Sequence, residues 1–375
     1  MGLTNIRLGD YIERSTINNK ELKYGVDLIV GVNSQGVFAA PKGNTDGVDL
    51  KPYKIVKNGA FVYNPTRLEL GSIAYRTEGL CIVSHLYMVF YLTDEGKKII
   101  DPMWLYIYFR RSEFCREVKF RNFGSQRPEF NFNDMSDIVI PLPDIEIQKK
   151  YVDIYNAMLE NQKSYEYRLE DLKLACDAYI EDLKHGIHCK AIGPYVERHD
   201  VRNRTNEIKN VMGVSTSKEF REPTSKVNRN ELSNYKIVRP RQISFVQTTH
   251  NEKVFAYAFN NTEDDIVVTS VNEVFSVDED KLLPEYLCMF FNRTEFDRYA
   301  RFHSWGSARE TFTWDDLVKV EIPIADMKTQ KSIADIYKAY KERKAINEKL
   351  KEQIKDICPI LIKGSIEEAR KAKEA

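Results

Sequence analysis

The stretch Ile138-Val139-Ile140-Pro141-Leu142-Pro143-Asp144-Ile145-Glu146-Ile147-Gln148 decides how the chain is read. Each proline biases the residue before it toward extended backbone, so no helix is expected ahead of Asp144. Asp144 is a good N-cap, and a helical period follows it. The same pattern returns 182 positions later as Ile322-Pro323-Ile324-Ala325-Asp326-Met327-Lys328-Thr329-Gln330. Working outward, that offset carries Tyr53-Lys54-Ile55-Val56 onto Tyr235-Lys236-Ile237-Val238, and Ala74-Tyr75 onto Ala256-Tyr257. It carries Pro102, Leu105, Phe109, Arg111 and Phe114 onto Pro284, Leu287, Phe291, Arg293 and Phe296. It also carries Gly124, Ser125, Arg127 and Phe130 onto Gly306, Ser307, Arg309 and Phe312. Solenoid repeats run about 20–50 residues, so this period means two copies of one globular fold. The chain is a pseudo-dimer.

Each copy changes character once. Short β-rich runs such as Asp27-Leu28-Ile29-Val30 and Ala60-Phe61-Val62-Tyr63 come first, broken by Gly, Pro and Asn. One helix is expected within them, around Pro102 to Val118. A long helix then closes the copy. In the first, Tyr165, Leu169, Leu172, Cys176, Tyr179 and Leu183 step by fours and threes; in the second, Asn347, Leu350, Ile354, Ile357 and Leu361 do so. That is a coiled-coil seam, and Asn347 within it would fix register at some cost in stability. Pro359 should kink or end the second helix. About 40 residues at 1.5 Å each span roughly 60 Å, longer than a domain is wide. Two such helices in one chain most simply pack on each other.

The 375 residues carry 56 basic and 56 acidic side chains and are 42% hydrophobic, as in a soluble globular protein. The length suggests two or three domains. A mean hydropathy of -0.47, with no apolar run near 18 residues, argues against a membrane span. Met1 to Ile6 has no apolar signal region, and Ile6 stands where myristoylation needs Ser or Thr. The six cysteines form no Cys-x-x-Cys pair and read as reduced residues of a cytoplasmic protein. No phosphate loop, dinucleotide fingerprint or nucleophile elbow is present, and Asn64-Pro65-Thr66 lacks the run of an adenine methyltransferase. His185, His188 and Cys189 lack the fourth ligand of a structural zinc site and read as linker. No catalytic residue, metal site or cofactor is therefore assigned.

Local basic patches are the chemistry that remains. Arg110, Arg111, Arg116, Lys119, Arg121 and Arg127 lie among Phe114, Phe120 and Phe123. Arg293, Arg298, Arg301 and Arg309 hold the corresponding zone of the second copy. A second run, Lys226, Arg229, Lys236, Arg239 and Arg241, contains a single acid, Glu231. Matching cations on two like domains suit a long polyanion such as double-stranded DNA. The two Gly-Ser-x-Arg segments offer backbone N–H, the Ser125 or Ser307 hydroxyl and the Arg127 or Arg309 guanidinium to one phosphate. Arg121, Arg239 and Arg241 complete the candidate DNA-binding set.

This order of repeat, Ile-Pro-Leu-Pro-Asp-Ile-Glu-x-Gln, long helix, repeat, Ile-Pro-Ile-Ala-Asp-x-x-x-Gln and long helix resembles the specificity (S) subunit of type I restriction–modification enzymes, over essentially the whole chain. Ala325 departs from the family's usual proline. The resemblance implies an α+β fold: two repeated α/β target-recognition domains joined by two long helices that form an antiparallel coiled coil. The expected boundaries are domain one at 1–143, spacer helix at 144–185, domain two at 186–325, spacer helix at 326–364 and a charged tail at 365–375. It implies a non-catalytic subunit whose domains each read half of a split, asymmetric target. Methyltransferase (modification) subunits would dock on the helices, with Gln148, Tyr155, Gln330 and Tyr337 as candidate partner-binding residues, and supply S-adenosylmethionine chemistry. A restriction subunit would join them. Three rival readings stand beside it: the DNA-reading subunit of a fused restriction–methylation enzyme, a coiled-coil scaffold with two protein-binding modules, and an enzyme whose site is assembled from scattered residues, although no titratable constellation recurs or clusters.

Overall fold

The computed structural model describes residues 2–41, 43–122, 129–248, 254–304 and 310–374. Two compact units result, residues 1–164 with 347–375 and residues 165–346. Each unit therefore contains one globular copy and a stretch of each long helix.

In unit 1, β1 (Thr4–Arg7) is followed by β2 (Ile12–Ser15), β3 (Gly31–Val32), β4 (Phe38–Ala39), β5 (Lys54–Val56), β6 (Phe61–Tyr63), β7 (Ile73–Tyr75), β8 (Cys81–Val83) and β9 (Met88–Leu92). Helices α1 (Asp94–Ile99), α2 (Pro102–Phe109), α3 (Ser112–Arg121) and α4 (Phe132–Ser136) come next, then β10 (Val139–Leu142) and the long α5 (Ile145–Gly186). A four-stranded antiparallel sheet runs β2-β9-β6-β7, beside the pairs β1-β10, β3-β4 and β5-β8. Unit 2 repeats the plan with β11 (Cys189–Ala191), β12 (Val196–His199), β13 (Gly213–Val214), β14 (Phe220–Arg221), β15 (Lys236–Val238), β16 (Ile243–Val246), β17 (Tyr257–Phe259), β18 (Ile266–Val268) and β19 (Asn272–Val277). Then come α6 (Pro284–Phe291), α7 (Thr294–Phe302), α8 (Trp314–Leu317), β20 (Glu321–Pro323) and α9 (Met327–Glu374). Its order β12-β19-β16-β17, with β11-β20, β13-β14 and β15-β18, matches unit 1 strand for strand.

The cores explain the repeated positions. In unit 1, Phe61, Phe90, Trp104, Phe109 and Phe114 are fully buried together. In unit 2, Phe245, Phe275, Phe291 and Phe312 fill the same role. Each fully buried large side chain contributes about 1.5–3 kcal/mol. The single helix expected from Pro102 is two. Arg111 is extended (φ -71°, ψ 145°) and parts α2 from α3, while its Nε donates to the Tyr108 carbonyl at 3.0 Å.

Within each unit the long helices run antiparallel. In unit 1, Val152 and Tyr155 of α5 pack with Cys358, Leu361 and Ile362 of α9. Gln162 Nε2 donates to Asn347 Oδ1 at 2.9 Å, both side chains buried in the seam. This polar pair supports the register role expected of Asn347. Gly364 permits close approach here, since a Cβ would lie 2.8 Å from the Tyr151 ring. In unit 2, Cys176 and Ile180 pack with Ile333 and Tyr337. The inward residue is Ile180, fully buried, and Tyr179 is exposed, which corrects the expected seam. A four-residue step after Cys176 keeps an apolar side chain against the unit 2 core.

Pro359 does not end α9, which continues to Glu374. The expected charged tail at 365–375 is helix through Glu374. Burial of Leu361, Ile362, Ser365 and Ala369 against unit 1 outweighs one missing backbone N–H. Trp104 Nε1 donates to Ser365 Oγ at 3.1 Å, and Lys150 and Tyr151 both donate to Glu368. Terminating the chain after Gly364 should thus destabilise unit 1 by about 2–4 kcal/mol, from one orphaned indole N–H and the lost apolar cover. Calorimetry is expected to show one early transition belonging to residues of unit 1. A single unshifted melt would contradict this packing.

Candidate nucleic-acid interface

The motif glutamines fasten the long helices to α2 and α6, the apolar helices that precede the cation-bearing α3 and α7. Gln148 is fully buried. Its Nε2 donates to the Ile99 and Pro143 carbonyls at 2.8 and 2.7 Å, and its Oε1 accepts from Asp101 N–H at 2.8 Å. Gln330 makes the same three bonds to Lys281 O, Ala325 O and Leu283 N–H, at 2.8, 2.8 and 2.9 Å. Each amide fastens the start of a long helix to the start of the apolar helix α2 or α6. Asp101 in turn accepts from Met103 and Trp104 N–H, capping α2 ahead of Pro102. Tyr155 and Tyr337 are also buried. The four residues expected to meet a partner thus lie inside their own units.

The basic residues divide into two groups. One group is held by partners within its own unit and faces inward except for Arg241, whose side chain is 43% exposed. Arg110 donates to the Gly71 carbonyl and covers Gly36, whose φ is +76° and whose Cβ would meet Nη1 at 2.5 Å. The same offset puts Lys218 at Gly36's place in unit 2. Lys218 takes φ +63° and sends its own ammonium to Phe291 O (2.7 Å) and Asp297 (2.8 Å). Burial pushes the Lys218 pKa down, and Asp297 opposes that shift. Arg293 is held by Asp177 at 3.1 Å, by Glu295 at 2.6 Å and by Glu181. Arg241, at φ +69°, occupies the place of Gly59 (φ +87°). It stacks 5.4 Å from the Phe259 ring centroid and pairs with Glu279 at 2.6 Å and with Glu285, which raises its pKa. These contacts offset a left-handed backbone that a non-glycine residue adopts at some cost. Lys236 is buried against Glu273 at 3.3 Å.

The other group faces solvent. Arg116, Lys119, Arg298 and Arg301 are exposed on α3 and α7. Arg239 is exposed as well; its backbone N–H donates to Gln242 Oε1 at 2.8 Å and its carbonyl accepts from Gln242 N–H at 3.1 Å. Arg121 pairs with Glu117 at 2.7 Å, with about a third of each side chain exposed. Ser125, Arg127, Ser307 and Arg309 lie outside the described residues. Among the described residues, no three His, Cys, Asp or Glu side chains are placed to hold a metal ion, and no helix is long and apolar enough to cross a membrane.

Two copies of one α+β domain, each with cations on an equivalent surface helix and each packed with its own stretch of the two long helices, define a two-domain DNA-recognition protein. The chain belongs to the family of type I restriction modification DNA specificity domains, whose model matches residues 4–170 and again 194–356. It is a DNA-specificity subunit, not a catalytic one. No curated protein matches it at a significant level. Among solved structures, the type I restriction-modification S subunit from M. genitalium shares its fold, with a TM-score of 0.61 at 10% identity over 97% of this chain and 96% of that one. The HsdS subunit from Thermoanaerobacter tengcongensis matches at 15% identity and a TM-score of 0.39, over 97% of this chain and 96% of that one. A chain from a study of complex assembly and conformational transition in the type I R-M system matches at 15% identity and 0.46, over 97% of both.

Proposed function

We propose that this subunit reads a bipartite, asymmetric DNA target, one half per recognition domain, while methyltransferase subunits dock on the long helices and a restriction subunit joins the cytoplasmic assembly. The observation that carries the reading is the strand-for-strand duplication combined with divergent connections. Residues 36–50 and 218–232 correspond at the 182-residue offset, yet keep only Phe38, Pro41 and Leu50 in common, as Phe220, Pro223 and Leu232. Loops of different sequence on one scaffold suit two different half-sites. The helices favour the docking role, because α5 exposes Tyr167 and Leu174 one heptad apart on its outer surface. An exposed apolar face of this kind suits a protein partner.

Affinity purification of the tagged chain from its native cells tests the assembly. A methyltransferase is expected to co-purify, and the complex should bind duplex DNA with a strong inverse dependence on salt. Recovery of a different partner, with no DNA binding even when a methyltransferase is supplied, would favour the scaffold reading.

A further inference from the structure

Phe120 is 83% exposed and Phe302 is 81% exposed. They are related by the same 182-residue offset and sit at the ends of equivalent helices, α3 and α7. Neither serves its own core. The buried side chains of α3 are Phe114 and Val118, and those of α7 are Phe296 and Ala300. Folding gives no reason for a large apolar side chain on the opposite, polar face, yet both copies have one. Four residues earlier each helix also carries the same cation, Arg116 or Arg298, and the intervening Lys119 or Arg301 is basic in both. Residues four apart on a helix share a face. The two sequences, Arg116-Glu117-Val118-Lys119-Phe120 and Arg298-Tyr299-Ala300-Arg301-Phe302, therefore present one arrangement twice: two exposed cations and an exposed ring. Arg116 has a long, exposed contact to Glu113 at 3.4 Å, and Arg298 has no ion pair among the described residues. Such a contact is worth little in water, so these guanidiniums are available.

We infer that each of these helix faces is, by itself, a sequence-independent contact to duplex DNA, with its cations on phosphates and its phenyl ring packed on the sugar and base edge beside them. The inference rests on the DNA-reading role proposed above. Charge decides the occupant: an exposed ring flanked by exposed cations suits a polyanion with apolar faces between its charges. Identity between copies that read different half-sites indicates contact with what all DNA shares, which positions the duplex without specifying its sequence.

The test measures binding of the full chain, with whatever methyltransferase co-purifies, to a fluorescent duplex of random sequence. Phe120→Ala and Phe302→Ala should each weaken binding about ten-fold and leave the salt dependence unchanged. Phe→Tyr at either site should restore affinity. Arg116→Gln and Arg298→Gln should each lower the slope of log affinity against log salt by about one. All four sites are exposed, so melting temperatures should hold. Wild-type binding unchanged in the double Phe→Ala variant would overturn the inference alone. So would loss of the methyltransferase at unchanged DNA affinity, which would assign the ring to a protein partner. A wild-type complex that binds no duplex would overturn the DNA-reading role and these contacts together.

Discussion

Replacing Gln148 by alanine should lower the stability of unit 1 by about 3–5 kcal/mol, and Gln330→Ala should do the same to unit 2. The reasoning is local. Each amide satisfies three backbone groups, and each side chain is fully buried. Truncation orphans one N–H and two carbonyls, at about 1–3 kcal/mol for each buried group that water does not reach. Scanning calorimetry of the full chain should show one transition shifted down and the other in place, with the shifted one switching between variants. Glutamate should not rescue, because the Nε2 position must donate twice. Unchanged melting together with lost partner binding would return these glutamines to the partner surface.

The second large effect is expected at Glu273. Its carboxylate accepts from Arg198 Nε and Nη2 at 2.9 and 2.7 Å, from Lys236 at 3.3 Å and from Gln247 at 2.5 Å. The hydrogen bond from Arg198 raises that guanidinium's pKa, and the Lys236 side chain is only 5% exposed. Glu273→Ala leaves a buried ammonium beside a second cation, with the exposed Asp200 at 3.6 Å as its remaining acid among the described residues. Breaking one partner of such a pair costs about 3–5 kcal/mol. Unit 1 indicates the lower end. There β-register puts Met88 at the acid's place and Arg14 at that of Arg198, and Lys54 donates to the Tyr87 carbonyl instead, with burial driving its pKa down. Lys236→Met added to Glu273→Ala should therefore recover much of the loss, because it removes the stranded charge. Thermal melts of the single and double variants check this, and equal losses in both would contradict it.

Much of the fold was legible because it is written twice. A constant offset is insensitive to errors in any one strand, and the sheet orders of the two units agree throughout. The helix seam was legible from its period, with two failures. Tyr179 yields to Ile180 because the core of unit 2, absent from any local window, sets the inward face. The helix persists past Pro359 because Trp104 and Ser365, 261 residues apart, meet there.

The candidate site was less legible. A run of cations reads as a patch when its acids are distant in sequence. Arg241 is answered by Glu279 and Glu285, and Arg293 by Asp177 and Glu181 from another element. The glutamines were visible as a motif, but a satisfied buried amide and a partner-facing one look alike in sequence. The exposed Phe120 and Phe302 had a usable signal, an apolar identity at a position the helix period assigns to solvent. Only burial separated them from Phe114 and Phe296.

Single-molecule sequencing of the native genome, with and without this gene, tests the central claim most directly. The account predicts that deletion removes base methylation at one split, asymmetric motif with a fixed gap. Replacing residues 36–50 should then alter one half of that motif and leave the other half and the gap intact. An unchanged methylation pattern, in cells whose partner methyltransferase is expressed and active, would contradict the claim that this chain supplies the sequence specificity.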